Sequence, residues 1–475
     1  MIDLQGPGRT IALLIIALIV AGAGVLVARR VGERTGWAAA GGFLLIAFAP
    51  LVPNQSIAFG LSLDDILPLV GVALLAPLVP WGRLTTLRFS HPPTGLILGI
   101  GMTLLLIAGL ISAIANASDP VEFLRFLARG AGRTAFLAII VVSLAVLGSD
   151  PRARRFVAVA LAGVGTFEAA FGLVAYLIGL PFHAGLEPTR RSTVLYGEIP
   201  GRISGTLGVS PNFTGAILLI TILVTAGLAL QSTERRERLT WWALAVVQVA
   251  ALALTYSRVS LALTVAGLAV LVILRSRPVL LAPIAVVLAA VAIFTPMLSR
   301  LVSDVPDRLA LWTSGFLMMI DHPFTGVGPG QVLATLAADP DRYRYTPFGS
   351  AVSTVHNTVL MAGAEAGLLA ALGAAVVNVG LVYLAYRTYR TAPPGAAGAL
   401  PVAAALALVG FLAQGMVNNL FTVGVTGVYL ALLVGGLLLE AYPASARDEA
   451  AVRRREPGRG PLPVQAHRVD TGRPR

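Results

Sequence analysis

The chain has 475 residues, of which 56% are hydrophobic and only 12% charged, and its formal net charge is +12. Because soluble proteins usually carry about 25% charged residues, this composition excludes an ordinary soluble enzyme, a disordered protein and a fibrous protein. It indicates a chain that crosses a bilayer many times. Cys is absent, so disulfides, thiolate metal sites and thiol catalysis are excluded as well.

Apolar runs of membrane-spanning length recur along the whole chain. A helix needs about 20 apolar residues to cross the hydrocarbon core of a bilayer. Thirteen runs meet or approach that length: 11–28, 37–52, 66–80, 94–114, 133–148, 156–179, 212–231, 240–256, 259–274, 279–296, 357–386, 400–420 and 423–441. The second and third runs are short and contain Pro50 and Pro68, so one pair could form a re-entrant hairpin. The sequence therefore predicts an all-α polytopic membrane protein of 12 or 13 transmembrane helices.

The distribution of arginine sets the predicted orientation. The chain has no Lys, and 23 of its 35 basic residues fall in alternate connections and in the C-terminal tail. By the positive-inside rule, those connections and the tail are cytoplasmic. The positive charge is therefore a topology signal and does not indicate nucleic-acid binding, because the arginines are scattered over short loops.

This orientation divides the chain into a membrane domain, two loops and a tail. Residues 1–441 form the predicted polytopic domain, with extracytoplasmic loops at 181–211 and 297–355. Residues 442–475 are rich in Arg, Pro and Gly and are predicted to be a disordered cytoplasmic tail. The segment Val121–Arg133 is also predicted outside, as a short amphipathic helix on the outer interface.

Two arginines on the predicted outer side are candidates for anion binding. Arg258 lies in a connection of about two residues between two spans, where an arginine is costly and needs a reason. The alternative is that it is a snorkelling side chain that caps a helix pair. Arg202 begins a Gly-containing run that leads to Asn212, and its guanidinium offers a fork of donors suited to phosphate oxygens. Arg190 and Arg191, earlier in the loop, are expected to pair with acids on a solvated surface.

The second long loop combines a helix signal with a turn signal. Arg308 and Trp312 open a stretch of helical spacing that continues to Met319, which we expect to pack on the membrane surface. A run rich in Gly and Pro follows over residues 321–330 and predicts consecutive turns.

A histidine stands at the predicted outer end of the span 357–386. His356 is followed directly by Asn357, and Glu365 lies nine residues further along the helix, roughly 13 Å by helix rise. An unperturbed histidine has a pKa near 6.5, which suits a general base at neutral pH. The alternative is that His356 only caps the helix that begins at Asn357.

Three acidic residues attract attention without receiving a role. Asp339 and Asp341 have the spacing of metal-binding acid pairs, but three residues are little signal and we interpret them as a turn. Glu168 lies in the middle of a span, where a buried carboxyl can simply bond a neighbouring helix.

An ordered set of motifs resembles a known family. The pieces are Arg202-x-x-Gly205 leading to Pro211-Asn212, Ser257-Arg258 between two spans, Arg308-x-x-x-Trp312, His322-Pro323-x-x-Gly326-x-Gly328-x-Gly330, and His356-Asn357 followed by Glu365-x-Gly367-Leu368. Their order and spacing, and the large outer loop before the histidine, resemble the bacterial O-antigen ligase and polymerase superfamily. The resemblance covers residues 200–370 in motif detail and the rest of the chain by span count.

The resemblance implies a fold similar to the membrane (GT-C type) glycosyltransferases, and a location in the bacterial cytoplasmic membrane. It implies transfer of a glycan en bloc from undecaprenyl diphosphate to an acceptor glycan or lipid at the outer face, without metal or cofactor. Arg202 and Arg258 match the residues for the donor diphosphate, and His356 the residue on the acceptor side. Four further matches are possible supporting residues: Asn212, Arg308, Asn357 and Glu365. The thirteenth span is one more than expected for the ligases. The absence of Lys and the Arg-rich tail suggest a GC-rich organism without lipopolysaccharide, so the acceptor need not be a lipid A core.

Three functions remain open from the sequence. The chain could be a glycan ligase, a polymerase that extends a surface polysaccharide by repeat units, or a transporter or flippase of a lipid-linked sugar. A transporter should hold its polar residues near the middle of the membrane, whereas here they gather at the outer interface, which favours an enzyme. A purely structural scaffold would leave the ordered Arg and His motifs unexplained.

Overall fold

The structure is a computed structural model of the whole chain. It describes residues 56–58, 61–62, 92–147, 151–177, 186–187, 202–203, 205, 211–275, 305–343, 355–418, 420 and 424–435. The predicted spans 11–28, 37–52, 66–80 and 279–296 lie outside the described residues, as do Arg190, Arg191 and the tail 442–475.

Helices make up most of the described chain, as the apolar runs predict. In chain order they are α1 (Pro92–Asn116), α2 (Pro120–Leu127), a π-helix (Ala128–Gly132), α3 (Arg133–Leu147), α4 (Pro151–Leu177), α5 (Pro211–Gln231), α6 (Arg235–Leu254), α7 (Arg258–Arg275), α8 (Val305–Asp321), α9 (Val332–Ala338), α10 (Pro340–Tyr343), α11 (Thr358–Thr391), a 3-10 turn (Gly395–Gly398), α12 (Ala399–Gly415) and α13 (Gly424–Leu433). Two antiparallel pairs of very short strands complete the described part: β1 (Ser56–Ala58) with β2 (Leu61–Ser62), and β3 (Leu186–Glu187) with β4 (Arg202–Ile203).

Seven of the described helical segments are long and apolar enough to cross a membrane. They are Thr94–Asn116, Arg155–Leu177, Pro211–Gln231, Arg235–Leu254, Arg258–Arg275, Thr358–Thr391 and Gly395–Gly415. The prediction of an all-α polytopic membrane protein is thereby confirmed. The predicted spans 133–148 and 423–441 contain α3 and α13, of which the described residues are 133–147 and 424–433.

Helix α5 forms the centre of the bundle. Of its 21 residues, those from Thr214 to Ala229 are all buried, and α4, α6, α7 and α12 pack around it. A helix that is apolar on every side belongs in such a position, because it has no polar face to turn outward. Small residues allow close approach to α12: a Cβ on Gly227 would lie 2.7 Å from the Cβ of Ala403.

Helices α1 and α11 form the second closely packed pair. A Cβ on Gly101 would lie 2.9 Å from the backbone nitrogen of Val377, and one on Gly373 would lie 3.0 Å from the carbonyl oxygen of Gly101. Glycines on both helices therefore bring the two backbones nearly into contact.

The helix ends separate the connections into two groups. At one end, the ion pair of Arg155 with Glu237, at 2.6 Å, ties the start of α4 to the start of α6. At the same end Arg275 donates to the carbonyl of Pro393 at 2.6 Å. These are connections that the arginine distribution predicts to be cytoplasmic, and the connections predicted outside meet at the opposite end.

Both stretches predicted to be interface helices are helical. Val121–Arg133 forms α2 and the π-helix, and the carboxylate of Asp119 caps α2 by accepting from the backbone of Val121 and Glu122 at 2.8 Å. The stretch that opens with Arg308 forms α8, but we expected it to pack on the membrane surface, whereas one side of it packs against α11. Met318 is fully buried on that side, since apolar spacing serves a helix contact as well as a membrane contact.

Candidate active site at the outer helix ends

Arg202 joins two elements that are distant in sequence. It lies on β4, and its Nε donates to the carbonyl oxygen of Thr255 at 2.9 Å. Its Nη2 donates to Oδ1 of Asn212 at 3.2 Å, at the start of α5. The guanidinium is thus fixed between α5 and the turn that links α6 to α7.

Arg258 starts α7 directly after the same turn. Thr255, which accepts from Arg202, is three residues before it, so the structure brings Arg202 and Arg258 to one connection. Tyr256, between them, has φ 51 and is one of two non-glycine residues in the left-handed region among the described residues. Such a conformation costs about 1–3 kcal/mol and tends to occur at functional sites. The pKa of the Tyr256 phenol is raised, mainly by burial and then by neighbouring Tyr176.

Asn357, and not His356, caps helix α11. Its Oδ1 accepts from the backbone of Val359 and Leu360, both at 3.0 Å. The interpretation of His356 as a cap is therefore wrong. His356 precedes the cap with φ 46, the other non-glycine residue in the left-handed region of the described chain.

Helix α8 fixes the backbone of His356 and the end of α12. The indole of Trp312 donates to the carbonyl oxygen of His356 at 3.1 Å. One turn earlier, Arg308 Nη1 donates to the carbonyl of Val417 at 2.5 Å. The Arg308–Trp312 motif therefore connects α8 to the backbone before α11 and to the end of α12.

The C-terminal end of α12, residues 414–417, connects these parts and is here called the α12 terminus. Gln414 is fully buried; its Nε2 donates to the carbonyl of Asn212 at 3.0 Å, and its Oε1 accepts from Ser260 at 2.9 Å. The next three carbonyls each accept one side chain. Gly415 accepts from Thr358 at 2.9 Å, Met416 accepts from Asn357 at 3.1 Å, and Val417 accepts from Arg308.

A helix end leaves carbonyl groups without intrahelical partners, and it carries partial negative charge. Side chains from α8 and from the start of α11 donate to those carbonyls. Gln414 donates to the carbonyl of Asn212, whose side chain accepts from Arg202. The α12 terminus therefore connects the residues predicted to bind the donor diphosphate to the start of α11. Sequence reasoning missed this role of Gln414, although an amide at this position of the apolar run 400–420 was a visible signal.

The imidazole of His356 has a strongly perturbed proton affinity. Burial, and to a lesser extent the positive charge of Arg308, lowers the pKa of His356 to about 4. The expectation of an unperturbed pKa near 6.5 is wrong, because the sequence does not reveal how deeply the folded chain buries the imidazole. At neutral pH the imidazole is uncharged and can accept a hydrogen bond.

Glu365 lies apart from this group, at a break in α11. Ala366 and Gly367 leave helical geometry, with φ −140 and φ 81. The glycine loop, residues 323–330, binds the backbone that the break exposes: Val327 donates to the carbonyl of Ala364 at 2.8 Å, and Leu368 donates to that of Pro323 at 2.7 Å.

The loop also fixes the carboxylate of Glu365. The backbone N–H of Gly330 donates to Oε1 at 2.8 Å. At Gly326 the two backbones touch, because a Cβ there would lie 2.2 Å from the carbonyl carbon of Glu365. Gly326, Gly328 and Gly330 all have positive φ, and at Gly326 the loop also lies in close contact with the backbone of α11. It positions Glu365 beside Arg129 and Arg133 and away from the α12 terminus.

Glu168 supports the loop that carries Arg202. The residue is 1% exposed, and a Cβ on Gly205 would lie 2.0 Å from its Oε2. The carboxylate therefore lies against the backbone of Gly205, which has φ 64 and follows Arg202 by three residues. The side chain of Glu168 therefore packs against this loop, whereas the sequence suggested only a contact with a neighbouring helix.

The acidic residues of the second loop form turns and an ion pair. Oδ1 of Asp339 accepts from the backbone of Arg342 at 3.2 Å, as the turn interpretation predicts. Arg342 also binds Asp321, whose pKa is lowered to about 2 by that bond and by one from Tyr343. Among the described residues, no group of three or more His, Asp or Glu side chains could hold a metal ion.

These features define a class of protein: a multi-pass, all-α membrane protein with arginines and a neutral histidine gathered at one end of its bundle. Residues 243–375 match the family model described as O-antigen ligase. The match confirms the resemblance over that segment and supports a ligase- or polymerase-type function in polysaccharide assembly. It contains Arg258, Arg308, His356 and Glu365, whereas Arg202 precedes it. No curated protein matches the chain.

Proposed function

We propose that this protein is an O-antigen ligase-like glycosyltransferase. It moves a glycan en bloc from undecaprenyl diphosphate to an acceptor hydroxyl at the outer face of the cytoplasmic membrane, without a metal. The observation that carries this proposal is the α12 terminus, which ties Arg202 and Asn212 through Gln414 to the helix start that follows His356. A transferase of this kind needs its leaving-group cations and its acceptor-side group on one rigid frame.

The two arginines act on the leaving group. The acceptor oxygen forms a bond to the anomeric carbon, while the bond from that carbon to the diphosphate oxygen breaks with its electron pair. Negative charge grows on the diphosphate, and preorganised guanidinium forks stabilise it. Arg202 is held by Thr255 and Asn212, so little reorganisation is needed when the charge develops.

His356 acts on the acceptor. Its neutral imidazole accepts the hydrogen bond of the acceptor hydroxyl and orients the oxygen towards the anomeric carbon. With a pKa of about 4 it is a weak base, so it takes the proton only as the new bond makes the hydroxyl acidic. We expect its removal to cost about 10²-fold in rate, the lower part of the range for general bases.

The test measures transfer by purified protein in detergent, from undecaprenyl-diphosphate-linked glycan to a hydroxyl acceptor. Arg202→Lys and Arg258→Lys should each lower the rate by about 10²-fold, because a point charge does not reproduce a bidentate fork. Arg155→Lys is the matched control, since this arginine pairs with Glu237 at the opposite end of the bundle. Wild-type rates in both Lys variants at the site would remove the diphosphate assignment.

The products separate ligase from polymerase. A ligase adds one glycan block to each acceptor, whereas a polymerase produces a ladder of repeat units. A chelator should leave the rate unchanged, and loss of activity on chelation would contradict a metal-independent reaction.

The orientation has its own test in this Cys-free chain. Single Cys residues replacing Arg190 or Arg342 should react with an impermeant thiol reagent in intact cells, and one replacing Arg236 should not. Labelling of position 236 alone would invert the proposed topology.

A further inference from the structure

Tyr256 lies in the turn between α6 and α7, next to both arginines of the site, and the mechanism above does not use it. It follows Thr255, whose carbonyl oxygen accepts from Arg202, and it precedes Arg258 by two residues. Its backbone has φ 51, and its N–H donates to the carbonyl oxygen of Ala253 at 3.1 Å. Strain of this kind persists only where the surrounding structure fixes it, and it is concentrated at ligand sites.

Tyr176 approaches the same place from α4. It lies at the outer end of that helix, which finishes at Leu177. One turn earlier, a Cβ on Gly172 would lie 2.5 Å from Cγ2 of Ile203, so this face of α4 packs against β4. Because residues four apart share a helix face, Tyr176 is on the side of α4 that faces the strand of Arg202.

The two phenol groups are close together and available to a ligand. Burial first, and then Tyr176, raises the pKa of Tyr256, so the two phenols lie within electrostatic reach of each other. Both side chains are partly buried, and neither hydroxyl has a hydrogen-bond partner among the described residues. Buried tyrosine hydroxyls usually find a partner. Because a phenol both donates and accepts, whereas an arginine only donates, the pair suits the hydroxyl groups of a sugar better than the oxygens of a phosphate.

We propose that Tyr176 and Tyr256 bind the sugar next to the diphosphate of the donor, through hydrogen bonds between their phenol hydroxyls and the hydroxyls of that sugar. The inference rests on the proposed function for its choice of donor, and it adds a sugar subsite beside the two arginines. The sugar whose anomeric carbon reacts is bonded directly to the diphosphate, so its binding site must adjoin the residues that bind the diphosphate. Tyr256 meets this condition, since Thr255 links it directly to Arg202.

The test measures binding of two lipids to the full chain in detergent by native mass spectrometry. The lipids are undecaprenyl diphosphate and undecaprenyl diphosphate that carries one N-acetylglucosamine. Tyr176→Phe and Tyr256→Phe each remove a hydroxyl and keep the ring and the backbone. Each should weaken binding of the sugar-bearing lipid roughly fivefold, because one hydrogen bond is lost, and should leave binding of the bare lipid unchanged.

Two further variants complete the comparison. Tyr386→Phe is the matched control, since Tyr386 is exposed near the end of α11, at the opposite end of the bundle, and it should bind both lipids like the wild type. Arg202→Lys should weaken binding of both lipids by a similar factor, because it changes a group that binds the diphosphate they share. A sugar-specific effect therefore separates the tyrosines from the arginine.

Several outcomes would overturn the proposal. Wild-type protein that binds the two lipids equally well would remove the sugar subsite. Wild-type binding by both Phe variants would make the tyrosines ordinary residues of the membrane interface. Equal weakening of both lipids would assign the hydroxyls to the diphosphate instead.

The same measurements separate this proposal from the proposed function. Absence of any effect of the Phe variants, together with intact glycan transfer by the wild type, would reject the tyrosine subsite alone. Sugar-dependent binding that the Phe variants weaken, without glycan transfer by the wild type, would support the subsite and reject the proposed function alone.

Discussion

His356 should remain uncharged far below the pH at which histidines usually titrate. Burial, helped by the charge of Arg308, lowers its pKa to about 4. Relative to an ordinary value of about 6.5, this disfavours the charged form by about 3 kcal/mol. At pH 5.5 about 3% of the side chain would be protonated, compared with about 90% for an unperturbed histidine.

Arg308→Gln tests both causes at once. It removes the positive charge but leaves the burial, so the pKa of His356 should rise from about 4 and stay below its ordinary value. The measurement is an NMR titration of histidine-labelled protein, with the His356 signal identified by its loss in His356→Asn. Arg342→Gln, which removes a cation bound to Asp321, is the control and should leave that titration unchanged.

The sign of the pH effect on stability follows from the same shift. Because the folded chain disfavours the imidazolium, the unfolded chain takes up this proton first, and stability is lost as the pH falls from about 6.5 towards 4. A wild-type His356 that titrates near 6.5 would refute the burial of the imidazole, and a pKa unchanged by Arg308→Gln would refute the contribution of the Arg308 charge.

Three further substitutions have expected outcomes, read from the thermal unfolding midpoint in detergent. Gly326→Ala should lower the midpoint most, since φ 61 costs a non-glycine residue about 1–2 kcal/mol and the new Cβ also collides with the backbone of α11. Gly395→Ala is the control, because Gly395 has φ 67 but open space around it, so this variant should show the backbone strain alone. Equal effects of the two substitutions would contradict the contact of Gly326 with α11. Asn357→Ala should cost about 0.5–2 kcal/mol through the lost cap while Asn357→Ser keeps most of it, so equal losses would reject the capping role. Gln414→Leu should cost about 1–3 kcal/mol because it leaves the carbonyl of Asn212 and the hydroxyl of Ser260 without this buried partner, and an unchanged midpoint would remove Gln414 as the link.

The helices were predictable because their apolar runs carry the signal. The span predicted at 212–231 is α5, and that predicted at 357–386 is α11, which begins one residue later and ends five residues later. These two helices could be predicted because the signal is local, namely the apolar composition of about 20 consecutive residues. The break in α11 at Gly367 was not predicted, because it depends on the glycine loop, which is distant in sequence and repairs the exposed backbone.

The candidate site was predictable in its members but not in its connections. Arg202 and Asn212 were singled out from a Gly-containing run, and the structure joins them by a hydrogen bond of 3.2 Å. The resemblance implies Glu365 as a possible supporting residue of the same group. It lies instead beside Arg129 and Arg133, since an α-helix carries a residue nine positions on to a deeper level of the bundle.

The α12 terminus makes stability and site geometry depend on the same bonds. The carbonyls of Gly415, Met416 and Val417 would be unsatisfied at a bare helix end, and the side chains that satisfy them come from the helix start beside His356 and from Arg308. A substitution there therefore changes folding and transfer together, and the rate alone cannot separate the two. The pKa of His356 can separate the two effects, because it depends on burial and on the position of Arg308. A variant that is slow but keeps the low pKa has lost a group that acts on substrate, whereas one whose pKa returns towards 6.5 has lost the frame around the imidazole.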